Sequence, residues 1–196
     1  VSKLTIASFN TFGVSLNFYN LTLRYKAIAN YFNASDVDVI HFQEVFTYFH
    51  LALLQNSLKN YLYCQYKKSY MGPKGGLVMF SRHVLTDMRF FSFPKKFIPL
   101  QSKLELLTQK GILTSRLRNF DILLINTHLT AVINHDWSNT SRYYQELVSE
   151  INELHGVIKN NTKDAVIISG DFNIAKGSFL YKKLINLEQL FDPFKK

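Results

Sequence analysis

Apolar and polar positions alternate over short segments of the chain, a pattern that predicts β-strands. In the segment 3–10, Leu4, Ile6 and Ser8 lie on one face, and the residues between them lie on the other. Short apolar runs bounded by turn residues predict further strands at 37–42, 61–66, 77–81, 84–93, 112–117, 122–126 and 165–169.

Apolar residues recur at helical spacing elsewhere, which predicts helices at 22–33, 46–58, 141–159 and 178–185. Thr22 is predicted to cap the first helix. The buried stripe of that helix is predicted to consist of Leu23, Ala27, Ile28 and Tyr31. One face of the third helix is formed by Tyr144, Leu147, Val148, Ile151, Leu154 and Ile158. The segment 94–110 is ambiguous.

The order of these elements predicts a layered α/β fold. Helices alternate with strands, and a hairpin is expected around residues 118–121, which favours mixed sheets over a purely parallel sheet. The chain has 196 residues, 47% of them apolar, and shows no internal repeat or linker. It is therefore interpreted as a single domain spanning residues 1–196.

The charge balance favours anionic partners. The net charge of +9 suits nucleic acid, an anionic membrane surface or phosphorylated small molecules. Cys64 is the single cysteine, which excludes an internal disulfide and favours a small buried side chain. No apolar run approaches the ~20 residues that span a bilayer, and the N-terminus has no signal-peptide pattern. These features do not assign the protein to a cellular compartment.

Polar residues cluster where predicted strands end. Asn10 follows the first strand, Gln43 and Glu44 follow the second, and His128 lies in the Asn-Thr-His-Leu run after the hairpin. The last predicted strand leads into the sequence Gly170-Asp171-Phe172-Asn173. Residues two apart leave a strand on the same side, and a glycine before Asp171 lets a ligand or another backbone approach.

These side chains suit metal-assisted phosphoester hydrolysis. Glu44 and Asp171 offer the oxygen ligands that Mg²⁺ prefers, Asn10 and Asn173 can donate to phosphate oxygens, and His128 can stabilise or protonate an oxygen in the transition state. Taken singly, each has an ordinary structural explanation: a surface ion pair for Glu44, a turn cap for Asn10, a buried histidine for His128. Their joint position after strands favours the catalytic interpretation.

The joint pattern resembles the endonuclease/exonuclease/phosphatase superfamily, the deoxyribonuclease-I-like group, over nearly the whole chain. The motifs that carry it are Ser8-Phe9-Asn10, Gln43-Glu44-Val45, Gly76-Leu77-Val78-Met79-Phe80-Ser81, Asn126-Thr127-His128-Leu129 and Gly170-Asp171-Phe172-Asn173. The resemblance implies a four-layered α/β sandwich, in which two mixed sheets pack face to face with helices outside. It also implies hydrolysis that depends on Mg²⁺ or Mn²⁺, with a water attacking phosphorus in line.

The resemblance assigns roles to individual residues. Glu44 would be the principal metal ligand with Asn10 beside it, while Asp171 would orient or activate the attacking water. Asn173 would bind the phosphate, and His128 would support the transition-state charge. Three further residues are expected to support the site structurally, namely Gln43, Arg142 and Gln145.

One departure from the family concerns the C-terminal end. Family members end with an Asp-His pair on a final strand, whereas no histidine follows His155 here. The domain is therefore expected to lack its final strand or strands and to expose an unpaired sheet edge. His135 and Asp136 are adjacent in the reverse order, and they are not interpreted as replacements for the Asp-His pair.

The substrate is predicted to be a phospholipid headgroup. Lys74-Gly75-Gly76-Leu77, Gln109-Lys110-Gly111 and Thr127-His128-Leu129-Thr130-Ala131 lean towards the sphingomyelinase-like branch. The aromatic segment 90–97 either touches a lipid interface or is an ordinary strand and loop. The alternatives are a nuclease, a small-molecule phosphatase such as an inositol phosphatase, and a non-catalytic binding relative. No obligate protein partner is expected.

Overall fold

Two four-stranded sheets form the centre of the molecule. The computed structural model describes residues 3–13, 21–94, 109–161, 165–186 and 190–194. The first sheet has the order β1-β2-β4-β3 and consists of β1 (Ile6–Asn10), β2 (Val39–Gln43), β3 (Tyr63–Gln65) and β4 (Val78–Ser81). The second has the order β5-β6-β7-β8 and consists of β5 (Leu85–Ser92), β6 (Gly111–Leu117), β7 (Ile122–His128) and β8 (Ala165–Asp171).

Both sheets are mixed, as the sequence predicts. In the first, β1 and β2 are parallel and the other pairs are antiparallel. In the second, β7 and β8 are parallel and the other pairs are antiparallel. Within the described ranges, the edge strands with one hydrogen-bonded neighbour each are β1 and β3 in the first sheet and β5 and β8 in the second.

Helices cover the outer faces of the two sheets. The first sheet packs against α1 (Leu21–Asn33) and α2 (Tyr48–Ser57), and the second packs against α3 (Tyr144–Lys159) and α4 (Phe179–Asn186). A third apolar cluster, which includes Val39, Met79, Leu113 and Leu124, fills the space between the sheets. The result is the predicted four-layered α/β sandwich, with layers helix, sheet, sheet, helix.

The buried face of α1 differs from the predicted stripe. Leu23 and Tyr31 are 61% and 70% exposed, whereas the buried residues of this helix are Tyr25, Ile28, Ala29 and Phe32. Ile28 is buried as predicted, but burial of the large Tyr25 and Phe32 rings turns the rest of the buried stripe to the neighbouring face of the helix. Thr22 lies inside the first turn rather than before it, because the helix begins at Leu21.

The aromatic segment 90–97 begins within β5, and its described residues do not form an exposed surface. Phe93 is buried, and Phe90 and Phe91 are half-buried against the apolar clusters on the two sides of the second sheet. The ordinary-strand alternative is therefore correct for residues 90–93, while Lys95 and Lys96 lie outside the described residues.

Cys64 is half-buried against the core under α1 and α2, and burial raises the pKa of its thiol to about 12. None of the helices within the described ranges is long and apolar enough to cross a membrane.

The layer between the sheets changes character from one end to the other. Inward-facing residues are apolar at one end, such as Val39 on β2 and Leu124 on β7. Two residues further along each of these strands, and again on the same face, the inward-facing residues are His41 and Asn126. The sandwich is therefore closed by apolar packing at one end and by polar contacts at the other.

Candidate active site

The predicted site residues meet at the polar end of the sandwich. Asn10, Gln43, His128 and Asp171 are the last residues of β1, β2, β7 and β8, and Glu44 follows Gln43 directly. Asn10 is in register with Gln43, and His128 is in register with Asp171. Parallel pairing places the carboxyl ends of β1 and β2 together, and likewise those of β7 and β8. The contact of Asn10 with Asp171 shows that the two pairs of ends meet at the same end of the sandwich.

Asn10 joins the two predicted acidic residues. Its side-chain nitrogen Nδ2 lies 3.0 Å from Oε1 of Glu44 and 2.9 Å from Oδ2 of Asp171, so one amide donates to both carboxylates. Its oxygen Oδ1 accepts from the backbone N–H of Phe12 at 2.8 Å. The amide thus brings together carboxylates that are far apart in sequence and belong to different sheets.

The backbone around Glu44 is shaped to present its carboxylate. Glu44 has a φ of +63°, which a non-glycine residue rarely adopts. A Cβ on Gly13 would lie 1.9 Å from the Glu44 carbonyl oxygen, and one on Gly76 would lie 3.0 Å from the Glu44 Cα. The buried Tyr25 hydroxyl is 2.8 Å from the Thr11 hydroxyl and donates to the Glu44 carbonyl at 3.4 Å. These close contacts hold Glu44 in its unusual conformation.

Glu44 retains an unused ligand atom. Its second carboxylate oxygen, Oε2, is buried and has no hydrogen-bond partner. Such an atom is costly unless a ligand satisfies it, and an oxygen donor beside a second carboxylate fits Mg²⁺, which keeps several waters and takes one or two carboxylates. Among the described residues, no group of three or more His, Cys, Asp or Glu side chains forms a metal cage. The donor set fits Mg²⁺ rather than a histidine- or cysteine-bound metal.

His128 is neutral and has a cationic neighbour, Lys110. The Lys110 Nζ lies 3.1 Å from the His128 Nε2 and donates to the Leu129 carbonyl at 2.7 Å. Burial, together with the Lys110 charge, lowers the pKa of His128 to about 3, although Asp171 at 3.8 Å works in the opposite direction. The positive charge here is therefore carried by Lys110, a residue that the sequence analysis did not include among the site residues.

The loop after β8 is fastened to the end of β7. The backbone N–H of Asn173 donates to Oδ1 of Asp171 at 3.1 Å, and its side-chain Nδ2 donates to the Leu129 carbonyl at 3.0 Å. Trp137, the one tryptophan of the chain, donates from its indole to the Asn173 carbonyl at 2.7 Å. Asn173 adopts a φ of +51°. The two motif residues Asp171 and Asn173 consequently form one fixed unit.

This unit forms one wall of an open cleft of about 420 Å³. The cleft is lined by Asp171 and Asn173 together with Trp137 and His135. His135 is exposed, and it reaches the rim from the loop after β7. Its place beside Asp171 could not be read from sequence spacing, because 36 residues separate the two.

Gln43 and Asn126 join the two sheets behind the site. Both are buried, and the Gln43 amide donates to Oδ1 of Asn126 at 2.8 Å. The Asn126 amide in turn donates to the carbonyls of Phe42 and Val78, at 2.9 and 3.2 Å. Nearby, the ring of His41 contacts the Ser169 hydroxyl at 2.7 Å. These bonds fix the relative position of the strand ends that carry Glu44 and Asp171.

Glu150 on α3 is a second residue that the sequence analysis missed. Its carboxylate is 3% exposed and accepts from the backbone N–H and the hydroxyl of Thr130, at 2.9 and 2.7 Å. Burial raises the pKa of Glu150 to about 7. Glu150 thereby anchors the chain just past Leu129, whose carbonyl holds both Lys110 and Asn173.

Arg142 and Gln145 are not brought to this cluster. Both are exposed, and Arg142 donates to the hydroxyl of its neighbour Tyr143 at 2.6 Å while lying over its ring. The buried polar contact between this part of the chain and the loop after β7 is made by Glu150 instead.

The sequence matches a family of known enzymes. The model of the Endonuclease/Exonuclease/phosphatase family matches residues 7–189, which is most of the chain. No curated protein sequence matches it.

Solved structures share its fold. A beta toxin mutant from Staphylococcus aureus with bound magnesium ions gives a TM-score of 0.79 at 18% identity, covering 97% of this chain and 72% of that chain. Sphingomyelinase C from Streptomyces griseocarneus gives 0.70 at 15% identity, over 95% and 70%. D. rerio TDP2 complexed with a single strand DNA product gives 0.65 at 21% identity, over 95% and 65%. At these identities the likeness concerns the fold.

Proposed function

This chain belongs to the endonuclease/exonuclease/phosphatase family, and from that premise we propose that it is a Mg²⁺-dependent phosphodiesterase acting on a phospholipid headgroup. Phosphodiester-type hydrolysis is the general chemistry of the family and its structural neighbours. The single observation that supports a working site is the Asn10 amide shared by Glu44 and Asp171, beside an unpartnered Glu44 oxygen.

The residues divide the work according to their positions. Glu44 would hold Mg²⁺, with Asn10 keeping its carboxylate beside that of Asp171. If Asn10 itself ligates the metal, its amide would turn by 180°, so that the side-chain oxygen rather than the nitrogen faces Mg²⁺. When bound, Mg²⁺ neutralises developing charge and polarises a phosphoryl oxygen. Mn²⁺, which takes similar oxygen ligands, would be able to replace it.

Asp171 would orient the attacking water and accept its proton. It lines the open cleft, so a water can reach its carboxylate. Asn173, fixed by one of its two amide N–H groups to Leu129, keeps the other for a phosphate oxygen. Lys110 supplies a positive charge beside His128, and this charge can stabilise the transition state. His128, neutral with a pKa lowered to about 3, would act as a hydrogen-bonding group rather than as an acid.

A lipid substrate is supported by the neighbours and by the sequence motifs together. One similar structure is a sphingomyelinase C, and the Gln109-Lys110-Gly111 segment that leans towards that branch contributes Lys110 to the site. A nuclease is the second candidate, because TDP2 with a DNA product shares the fold and the net charge is +9.

Hydrolysis of three substrates in parallel tests the proposal: a soluble aryl phosphodiester, sphingomyelin vesicles that contain phosphatidylserine, and plasmid DNA, each with Mg²⁺ and with EDTA. EDTA-sensitive turnover of sphingomyelin above that of DNA is the expected result. DNA cleavage alone would make the chain a nuclease. Binding of Mg²⁺ without turnover on any substrate would favour a non-catalytic relative and would refute the proposal.

Two variants test the assigned roles. Glu44→Gln is expected to weaken Mg²⁺ binding, followed through the fluorescence of Trp137, which lines the cleft. Asp171→Ala is expected to lower turnover roughly 100-fold or more. Glu153→Gln, an exposed change on α3, is the matched control and should leave both unchanged. Unaltered Mg²⁺ affinity in Glu44→Gln would exclude Glu44 as the ligand.

A further inference from the structure

A short hairpin at residues 66–73 exposes two large apolar side chains at its tip. Tyr70 is 99% exposed and Met71 is 57% exposed. Exposed apolar side chains are common singly, but adjacent ones on a projecting tip mark an interaction surface. The hairpin joins β3 to the turn before β4 and has no part in the catalytic contacts described above.

Hydrogen bonds along the hairpin and to the start of α2 hold its tip outward. Lys68 and Pro73 form an antiparallel bridge, and the Ser69 N–H donates to the Gly72 carbonyl at 3.0 Å. Tyr48, at the start of α2, donates from its hydroxyl to the Ser69 carbonyl at 2.7 Å. Its backbone N–H donates to the Met71 carbonyl at 3.2 Å. With its backbone satisfied from below, the hairpin holds Tyr70 and Met71 outward in solvent.

The hairpin stands at the active-site end of the sandwich. A Cβ on Gly72 would lie 2.4 Å from the carbonyl oxygen of Phe46, so the base of the hairpin packs against the chain just past Glu44. Other strand-end loops at this end also expose apolar residues, with Phe12 at 48% and Ile133 at 68%. Several loops at the active-site end of the sandwich therefore expose apolar side chains.

The charge around the hairpin selects an anionic partner. Lys67 and Lys68 are exposed at the base of the hairpin, below the apolar tip. The chain from residue 45 to residue 86 contains no Asp or Glu at all, and its cations are Lys59, Lys67, Lys68, Lys74 and Arg82. An apolar tip above a basic base matches the depth profile of an anionic bilayer, where acyl chains lie beneath phosphates. Tyr70 offers one ring for base stacking, but Met71 offers none and the tip itself carries no cation, which makes nucleic acid the poorer fit.

From this arrangement we infer that the 66–73 hairpin docks the protein on an anionic phospholipid surface and turns the cleft towards it. This inference rests on the proposed lipid substrate and names the element that brings the site to it. Tyr70 and Met71 enter the interface, while Lys67 and Lys68 pair with lipid phosphates. Phe90, Phe91 and Phe93 pack against the apolar clusters of the second sheet and take no part in docking.

Co-sedimentation of the full chain with phosphatidylcholine vesicles, with and without phosphatidylserine, tests the inference. Binding is expected only to the anionic vesicles and is expected to weaken with salt. The double variant Tyr70→Ser/Met71→Ser should lower the partition coefficient about ten-fold or more. Lys67→Gln and Lys68→Gln should each lower it about five-fold.

Leu62→Ser provides the matched control. Leu62 is 78% exposed just before β3, whose first residue pairs with Ser81 at the end of the sheet opposite the site. This variant should bind vesicles as the unaltered chain does. Equal losses in the Leu62 and hairpin variants, or no loss in the hairpin variants, would overturn the inference.

Two parallel assays separate this inference from the proposed function. All hairpin variants should hydrolyse the soluble aryl phosphodiester at the unaltered rate. Hairpin-dependent vesicle binding without any hydrolysis would leave the docking surface intact and refute the proposed activity. Hydrolysis without vesicle binding would refute the docking surface alone. Binding of a single-stranded oligonucleotide that falls in the hairpin variants, with no vesicle binding, would assign the surface to nucleic acid instead.

Discussion

Glu150 is expected to make the protein less stable as the pH rises from 4.5 to about 7, and Glu150→Gln should remove that loss. The carboxyl group is buried between α3 and the end of β7, where both of its oxygens meet Thr130. A glutamine has the same shape, and its amide can accept from the Thr130 N–H and donate to the Thr130 hydroxyl. The variant therefore keeps the contacts while removing the ionisation.

The sign follows from the direction of the pKa shift. Burial is the largest cause and raises the pKa of Glu150 to about 7 from 4.5, with Glu146 adding to the rise. The hydrogen bonds from Thr130 and the charge of Lys110 oppose it. Between these two pH values the folded chain keeps the proton that the unfolded chain has lost. The stabilisation is thus complete below 4.5 and is lost as the pH rises through about 7.

The magnitude is bounded by the same shift. Each unit of difference in pKa corresponds to about 1.4 kcal/mol, so the free energy of unfolding can fall by at most about 3 kcal/mol across this range. That is a large fraction of the stability of a typical domain, about 5–15 kcal/mol. The effect is therefore well within the precision of denaturant unfolding.

Urea unfolding of the unaltered chain and of Glu150→Gln at a series of pH values measures the effect. The difference between the two curves isolates Glu150, because other titrating groups act equally on both proteins. Glu153→Gln, which changes an exposed residue of the same helix, should show no such difference. A flat difference curve for Glu150→Gln between pH 4.5 and about 7 would refute the assignment of a raised pKa.

Two further predictions concern buried positions beside the site. Burial lowers the pKa of His41 to about 3, so the free energy of unfolding should fall as the pH falls from 6.5 towards 3. In urea unfolding over this pH range, the free energy of unfolding of His41→Leu should fall less than that of the unaltered chain. Gly170→Ala should lower the free energy of unfolding by about 3 kcal/mol or more, because its Cβ would lie 2.0 Å from the Thr127 carbonyl oxygen. Gly156→Ala, on α3 with no atom within 4 Å, should instead raise it by about 0.5–1 kcal/mol, and an equal loss in both variants would contradict the clash at Gly170.

Positions of strands and of their polar ends could be predicted from the sequence, because both depend on local patterns. The alternation around Ile6 and the apolar run before Asp171 predicted the strands β1 and β8. The glycine at position 170 is needed because the backbone of Thr127 approaches it closely. The contact of Asn10 with Asp171 spans 161 residues, yet it follows from strand ends that meet at one edge.

The supporting residues could not be predicted in the same way, because their roles depend on which partner faces them. Glu150 lies three residues after Leu147 and four before Leu154, within the buried face of α3. A carboxylate at such a position requires a buried partner, and this was the available signal. The partner Thr130 is on another element, and the pairing depends on how α3 lies against the second sheet. The same dependence on packing explains the error in the buried stripe of α1.

The polar end of the sandwich contributes less to the free energy of unfolding than apolar packing would. Among the described residues, buried atoms without a hydrogen-bond partner include Oε2 of Glu44, Nδ1 of His128 and Nε2 of His41, all near the strand ends. Each such atom costs about 1–3 kcal/mol relative to one that is satisfied. The apolar residues that fill the opposite end would remove this cost. The unpartnered oxygen of Glu44 is linked through Asn10 to Asp171, which lines an open cleft. This position argues for a ligand that satisfies Glu44, and Mg²⁺ with its waters is the ligand that this donor set fits.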